Sequence, residues 1–129
     1  MWDYIGMARD AEGLQKAIKL IAELKEEFYK DLRITGEFTA MNNELEKAGR
    51  IADFLEIADL MAHDALDRNE SCGGHCRLES VTEEGEAKRD DEHYQYVSAW
   101  EYKGEGTAPE LHKEPLVFEN IEVTQRSYK

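Results

Sequence analysis

The chain has 129 residues, 41% of them hydrophobic and 35% charged, with 2 prolines and 9 glycines, the makeup of a globular domain and not of a disordered or fibrous chain. Its 29 acids against 16 Lys and Arg leave a net charge of −13, which repels phosphate backbones and anionic lipid and argues against a nucleic-acid partner. No apolar run approaches the ~18 residues of a spanning helix, Met1-Trp2-Asp3-Tyr4-Ile5 lacks the pattern of a secretory signal, and two cysteines four positions apart point to a reducing cytoplasm.

The chain opens on a short amphipathic stretch, Trp2, Ile5, Met7 and Ala8, which reads as a first helix or the last turns of a longer one. From Asp10, Leu14, Ala17, Ile18, Ile21, Leu24 and Phe28 recur at three- and four-residue steps, the mark of a helix with one apolar face. The connector 31–41 holds Gly36 and three apolar residues, Leu32, Ile34 and Phe38, which should pin it to the helices. A second long helix follows on Leu45, Ala48, Ile51, Leu55, Ala58, Met61, Ala62 and Ala65, with Asn43 three residues before Glu46 as a capping box. Its alanines and Gly49 would let a neighbouring backbone approach closely. These segments predict a mainly α, helical region over residues 1–68.

After Arg68 the periodicity stops. Residues 69–93 form a glycine-bearing, charge-rich loop whose length marks a functional or interface segment. Residues 94–129 then favour a hairpin and an extended tail. Tyr94, Tyr96, Val97, Trp100 and Tyr102 make the first strand, Lys103-Gly104-Glu105-Gly106 the turn, and Leu116-Val117-Phe118 a second strand behind Pro115. The whole is expected to be a single domain.

The sharpest local pattern is Cys72-Gly73-Gly74-His75-Cys76, with three potential zinc ligands and His63 or His93 as a fourth. Structural zinc hairpins favour two residues between cysteines, and no second Cys/His pair follows, so a plain structural loop outweighs a metal site. No feature depresses either thiol, His63 reads as a hydrogen-bonded helix residue, and there is no phosphate loop. The acidic runs 83–86 and 90–92 read as solvated loop. Composition and spacing alone identify no catalytic, cofactor-binding or metal residue.

The run Leu66-Asp67-Arg68-Asn69-Glu70-Ser71-Cys72-Gly73-Gly74-His75-Cys76-Arg77, followed by Arg89-Asp90-Asp91, resembles the C-terminal helical domain of the succinate dehydrogenase and fumarate reductase flavoprotein subunits. That family's pattern runs Arg-x-Glu-Ser-Arg-Gly-(Ala/Gly)-His-x-Arg, then Arg-Asp-Asp. Gly6, Arg9, Gly13-Leu14, Asn43-Glu44-Leu45 and Ala48 agree as well. L-aspartate oxidases share the loop, but the aromatic hairpin and the ending Arg126-Ser127-Tyr128 suit the succinate and fumarate enzymes better. Cys72 stands where the family has arginine, and Val81 to Ala87 is an insertion, the signs of a divergent branch.

The resemblance implies a three-helix up-and-down bundle, spectrin-repeat-like, over residues 1–68, in a non-catalytic domain excised from a larger flavoprotein. The parent would interconvert succinate and fumarate through FAD and pass electrons to an iron–sulfur subunit, on the cytoplasmic face of the inner membrane. FAD, and the FAD-binding and capping domains, would lie upstream. Ser71, Gly73, Gly74, His75, Arg77, Arg89, Asp90 and Asp91 would form the inter-domain loop, with Arg77, Arg89, Asp90 and Asp91 ion-paired. A fragment of this kind should expose apolar surface near Trp2 and Ile5 or around Trp100 and self-associate to cover it, without inserting into the membrane. Two other readings remain: a free-standing helical interaction module, and a small zinc or thiol protein using Cys72, His75 and Cys76.

Overall fold

A computed structural model describes residues 1–104 and 106–125. The chain divides into two compact units, one of residues 1–6 and 11–66, the other of residues 7–10 and 67–129.

The first unit is built on two long helices, α2 (Ala11–Asp31) and α3 (Asn43–Asp67), preceded by the single turn α1 (Trp2–Ile5). Leu14, Ala17 and Ile21 of α2 meet Ala58, Ala62 and Ala65 of α3, with Ile5 closing one end and Tyr4, Ile18 and Leu66 packed around them. Lys25 reaches Glu56 at 2.8 Å. These pairings share a register only if α2 and α3 run antiparallel. Leu14 is fully buried, which contributes roughly 2 kcal/mol through the apolar area it removes from water.

A third bundle helix does not form from Met7 and Ala8. The turn α1 stops at Gly6, where any Cβ would stand 2.7 Å from the Trp2 carbonyl oxygen. The chain then extends as β1 (Ala8–Arg9) in the second unit. Helix α3 is capped by Asn42, one residue before the expected Asn43. Its Oδ1 accepts from the amides of Glu44 at 3.0 Å and Leu45 at 3.4 Å, the second and third helical positions. The connector is less anchored than its apolar residues suggest. Leu32 and Phe38 are exposed and only Ile34 is half-buried. At Gly49 an added Cβ would meet nothing within 4 Å, so no backbone uses the space.

The second unit holds β1, β2 (Cys76–Arg77), the single turn α4 (Asp91–Tyr94), and the hairpin β3 (Tyr96–Glu101) and β4 (Glu110–Pro115). Strands β1 and β2 are parallel, Ala8 opposite Cys76 and Arg9 opposite Arg77. The hairpin register runs from Glu101 opposite Glu110 to Tyr96 opposite Pro115. The second strand is therefore the polar segment 110–115 and not Leu116–Phe118. Tyr94 belongs to α4, where Asp90 caps the turn by accepting from the His93 amide. The Leu116 amide bonds the Gln95 carbonyl at 3.0 Å, so Tyr96 and Pro115 face each other where no ladder bond is needed. Proline ends the strand there without leaving a carbonyl unpaired. Beyond it, Gln125 Nε2 donates to the Ala87 carbonyl at 2.9 Å, tying the extended segment back to the loop. The ending Arg126-Ser127-Tyr128 lies outside the described residues.

Candidate functional site

The candidate site is the loop after α3. Its ordering comes from hydrogen bonds between side chains and backbone more than from apolar packing. Cys72 and His75 exchange two backbone bonds, 2.9 and 3.0 Å, around Gly73-Gly74. Gly73 sits at φ 58, a conformation that costs a side-chain-bearing residue about 1 kcal/mol or more. Gly74 has no positive φ, so only the first central position of the turn requires glycine, the pattern of a type II′ turn.

Ser71 is fully buried beneath this turn. Its Oγ accepts from the Arg77 amide at 2.9 Å and donates to the Arg77 carbonyl at 3.1 Å, closing the loop on itself. The Ser71 amide in turn donates to the Lys88 carbonyl at 2.9 Å. Ser80, also buried, donates to Asn69 at 3.1 Å.

His75 is held at both ring nitrogens. Nε2 lies 2.8 Å from the Arg68 carbonyl and Nδ1 3.2 Å from Arg9 Nη1. A guanidinium only donates and a carbonyl only accepts, so the ring is neutral with its proton on Nε2. Burial lowers its pKa below the usual histidine value, and the charges of Arg9, Arg77 and Arg68 add to the effect against the bond to the Arg68 carbonyl. No lone pair is left for a metal, which removes the support for a zinc site at Cys72, His75 and Cys76. Among the described residues, three donor atoms gather within 4.8 Å only at Glu101, Glu110 and His112. Those two glutamates already share Lys103, at 3.1 and 2.8 Å.

The remaining charges form separate pairs. Arg89 clamps Asp91 in bidentate fashion, both oxygens within 2.6 Å of Nη2. Asp90 accepts from His93, which holds the aspartate below and the histidine above their ordinary pKa values. Arg77 is buried and bonds Glu79 at 3.1 Å.

Two residues quoted in the loop signature but not singled out prove central. Glu70 is buried and accepts from Arg68 Nη1 at 2.7 Å and from the Asp90 amide at 2.9 Å. Arg68 also donates to the carbonyls of Tyr94 and Tyr96, 2.9 and 3.0 Å, with its guanidinium over the Tyr96 ring. One arginine thus joins the loop to the hairpin. An Arg-x-Glu pair immediately before a serine and a glycine turn was the available signal, because only a fixed fork can bond carboxylate and carbonyls together. Arg9, quoted among the upstream agreements, was not singled out as a site residue either, since its partner lies 66 residues away.

A family model described as "Fumarate reductase flavoprotein C-term" matches residues 1–128. The chain belongs to this family. It is 34% identical over 123 residues to the fumarate reductase flavoprotein subunit of Serratia sp., covering 95% of this chain and 20% of that protein. It is 33% identical over 82 residues to L-aspartate oxidase of Yersinia pestis, covering 61% of this chain and 14% of that one. A solved structure of Escherichia coli quinol fumarate reductase superposes with a TM-score of 0.77 at 30% identity, over 93% of this chain and 20% of that one. The chain therefore corresponds to the C-terminal domain of a succinate dehydrogenase/fumarate reductase flavoprotein and spans about a fifth of such relatives. The structural likeness extends to the two long helices and the small sheets.

The family implies FAD, and the residues described here do not fit it. A dinucleotide cradle needs a strand, a glycine turn and a helix N-terminus in series. Strand β1 passes into α2 through Asp10 alone, with no glycine turn between them. Strand β2 leads into a turn, and α4 is one turn long.

Proposed function

We propose that the chain is a non-catalytic brace within a flavoprotein that interconverts succinate and fumarate. FAD would be held by other domains of the same polypeptide, and electrons would pass to an iron–sulfur subunit at the cytoplasmic face of the inner membrane. The observation that carries this reading is the family match along nearly the whole chain, which spans only a fifth of the relatives' length. The loop supports it. Its buried side chains spend their bonding capacity on each other and on backbone, the chemistry of a rigid support and not of a reacting centre. Ser71, Gly73, Gly74, His75, Arg77, Arg89, Asp90 and Asp91 set the shape of that support. No helix among the described residues is long and apolar enough to cross a membrane, in keeping with attachment through partner subunits.

The test is a graft. The C-terminal fifth of the Serratia relative is replaced by this chain, and flavin content and fumarate-dependent oxidation of a reduced dye are measured. The graft should retain both, while deletion of the same fifth should lose them. The chain alone should retain no flavin once added FAD is removed by gel filtration. Flavin bound by the isolated chain, or dye reduction with succinate, would refute the reading.

A further inference from the structure

The patch expected at Trp2 and Ile5 loses Ile5 to the core, and the reactive groups left unspent lie instead in the loop. Both cysteines are free thiols, Cys72 exposed and Cys76 half-buried. They stand on either side of one turn. Cys72 pairs directly with His75, so those two side chains share a face, and Cys76, the next residue along, points to the opposite one. The direction of the Cβ atoms, and not the span of chain between them, keeps the two thiols from bridging.

The two sides of the turn are held differently. Cys76 belongs to β2, opposite Ala8 of β1, and the Leu78 amide just beyond bonds the Arg9 carbonyl at 2.9 Å. Cys72 is held by its two backbone bonds to His75. Gly73 and Gly74 have open space where a Cβ would stand, so this side can swing without a clash. The Arg89 guanidinium, clamped by Asp91, is still near enough to the Cys72 sulfur for a negative charge there to attract it. An exposed sulfur beside a cation, with a second thiol across the turn, is the layout of a peroxide-sensing pair.

We propose that Cys72 and Cys76 form a reversible disulfide latch: hydrogen peroxide oxidises Cys72, Cys76 closes the bridge, and the glycine turn opens. The Cys72 sulfur attacks the peroxide O–O bond and is oxidised to the sulfenic acid, while the other peroxide oxygen is reduced and departs as water. The Cys76 sulfur then attacks Cys72. The S–S bond forms as the S–O bond breaks, and hydroxide leaves with the Cys76 proton as a second water. Two thiols and one peroxide thus give one disulfide and two waters. To bring the sulfurs together, Cys72 leaves its pairing with His75, and Ser71 beside it releases the Arg77 amide and carbonyl. A bridge made at the expense of a folded turn is readily reduced, as a regulatory disulfide must be. The latch rests on the loop alone, so the graft does not decide it.

The test treats the reduced full chain with a few equivalents of hydrogen peroxide. The tryptic peptide 69–77 carries both cysteines and no methionine. Its mass should fall by two hydrogens and recover with dithiothreitol. In the oxidised chain, amide exchange across residues 69–80 should rise at least about tenfold, with α2 and α3 unchanged. Cys76→Ser should stop at a sulfenic acid on Cys72 that dimedone traps. Cys72→Ser should form no bridge and keep the loop protected under peroxide. A bridge that leaves exchange unchanged, disulfides between chains only, or no reaction at millimolar peroxide would overturn the proposal. So would oxidation of Cys72 that runs on to the sulfinic acid with Cys76 present.

Discussion

The two units are held together by opposite means. In residues 1–6 and 11–66, apolar side chains meet along one seam, and the polar residues are solvated. In the other unit the buried residues are mostly polar: Glu70, Ser71, Arg77 and Ser80, with Tyr96 the large apolar exception. Apolar packing is non-directional and tolerates loss by partial collapse. A buried polar network fails more abruptly, because each broken bond leaves a desolvated partner. The second arrangement holds a shape more sharply than it adds stability, which suits a loop whose task is to present a fixed surface.

The strongest break of this contrast is Glu70→Ala. It removes the carboxylate that receives Arg68 and the Asp90 amide, leaving a mostly buried guanidinium without its counter-charge. The expected loss is about 4 kcal/mol, read as increased amide exchange through residues 67–101. The helices should keep their circular dichroism. Exchange that rises equally in α2 and α3 would show that the two units do not open separately. Leu14→Ala tests the other side. It opens a cavity in the helical seam at a cost of about 3 kcal/mol in urea unfolding, with the loop's exchange protection retained. Ser71→Ala comes next. Two bonds to Arg77 are lost while the site remains buried, and about 2 kcal/mol should follow, confined to the loop.

The same contrast explains what the sequence reveals. Helix-period apolar residues located α2 and α3 and most of their buried faces, because that period reflects burial directly. It could not tell buried from unpartnered faces: Leu24, Ile51 and Met61 follow the pattern as well as Leu14 does, yet remain exposed. The hairpin was legible as a hairpin, but its second strand was sought in Leu116–Phe118. The register instead places polar residues 110–115 in the ladder, since pairing begins directly beyond the turn whatever the side chains are. The loop was recognisable as a motif, and its bonding was not. Arg9–His75 and Glu70–Asp90 join residues 66 and 20 apart through groups that no periodicity links.

The smallest effect separates two histidines within the polar unit. His75 is half-buried and neutral, its pKa lowered first by burial and then by Arg9, Arg77 and Arg68. The unfolded chain, near the ordinary value of about 6.5, therefore binds a proton more readily than the folded one. The contribution of His75 to stability is fully present above that pH and is lost as pH falls through its folded pKa. His93 runs the other way. Its bond to Asp90 raises its pKa, so its contribution is present below about 6.5 and fades as pH rises through the folded value. Nitrogen-resolved NMR of the imidazoles should find His75 as the Nε2–H tautomer, titrating below His93. His75→Asn should flatten the acid side of the stability profile, and Asp90→Asn should return His93 toward its ordinary value. The reverse titration order would mean that the arginines around His75 do not enclose it in solution, and the polar unit would lose its claim to be the stiffer of the two.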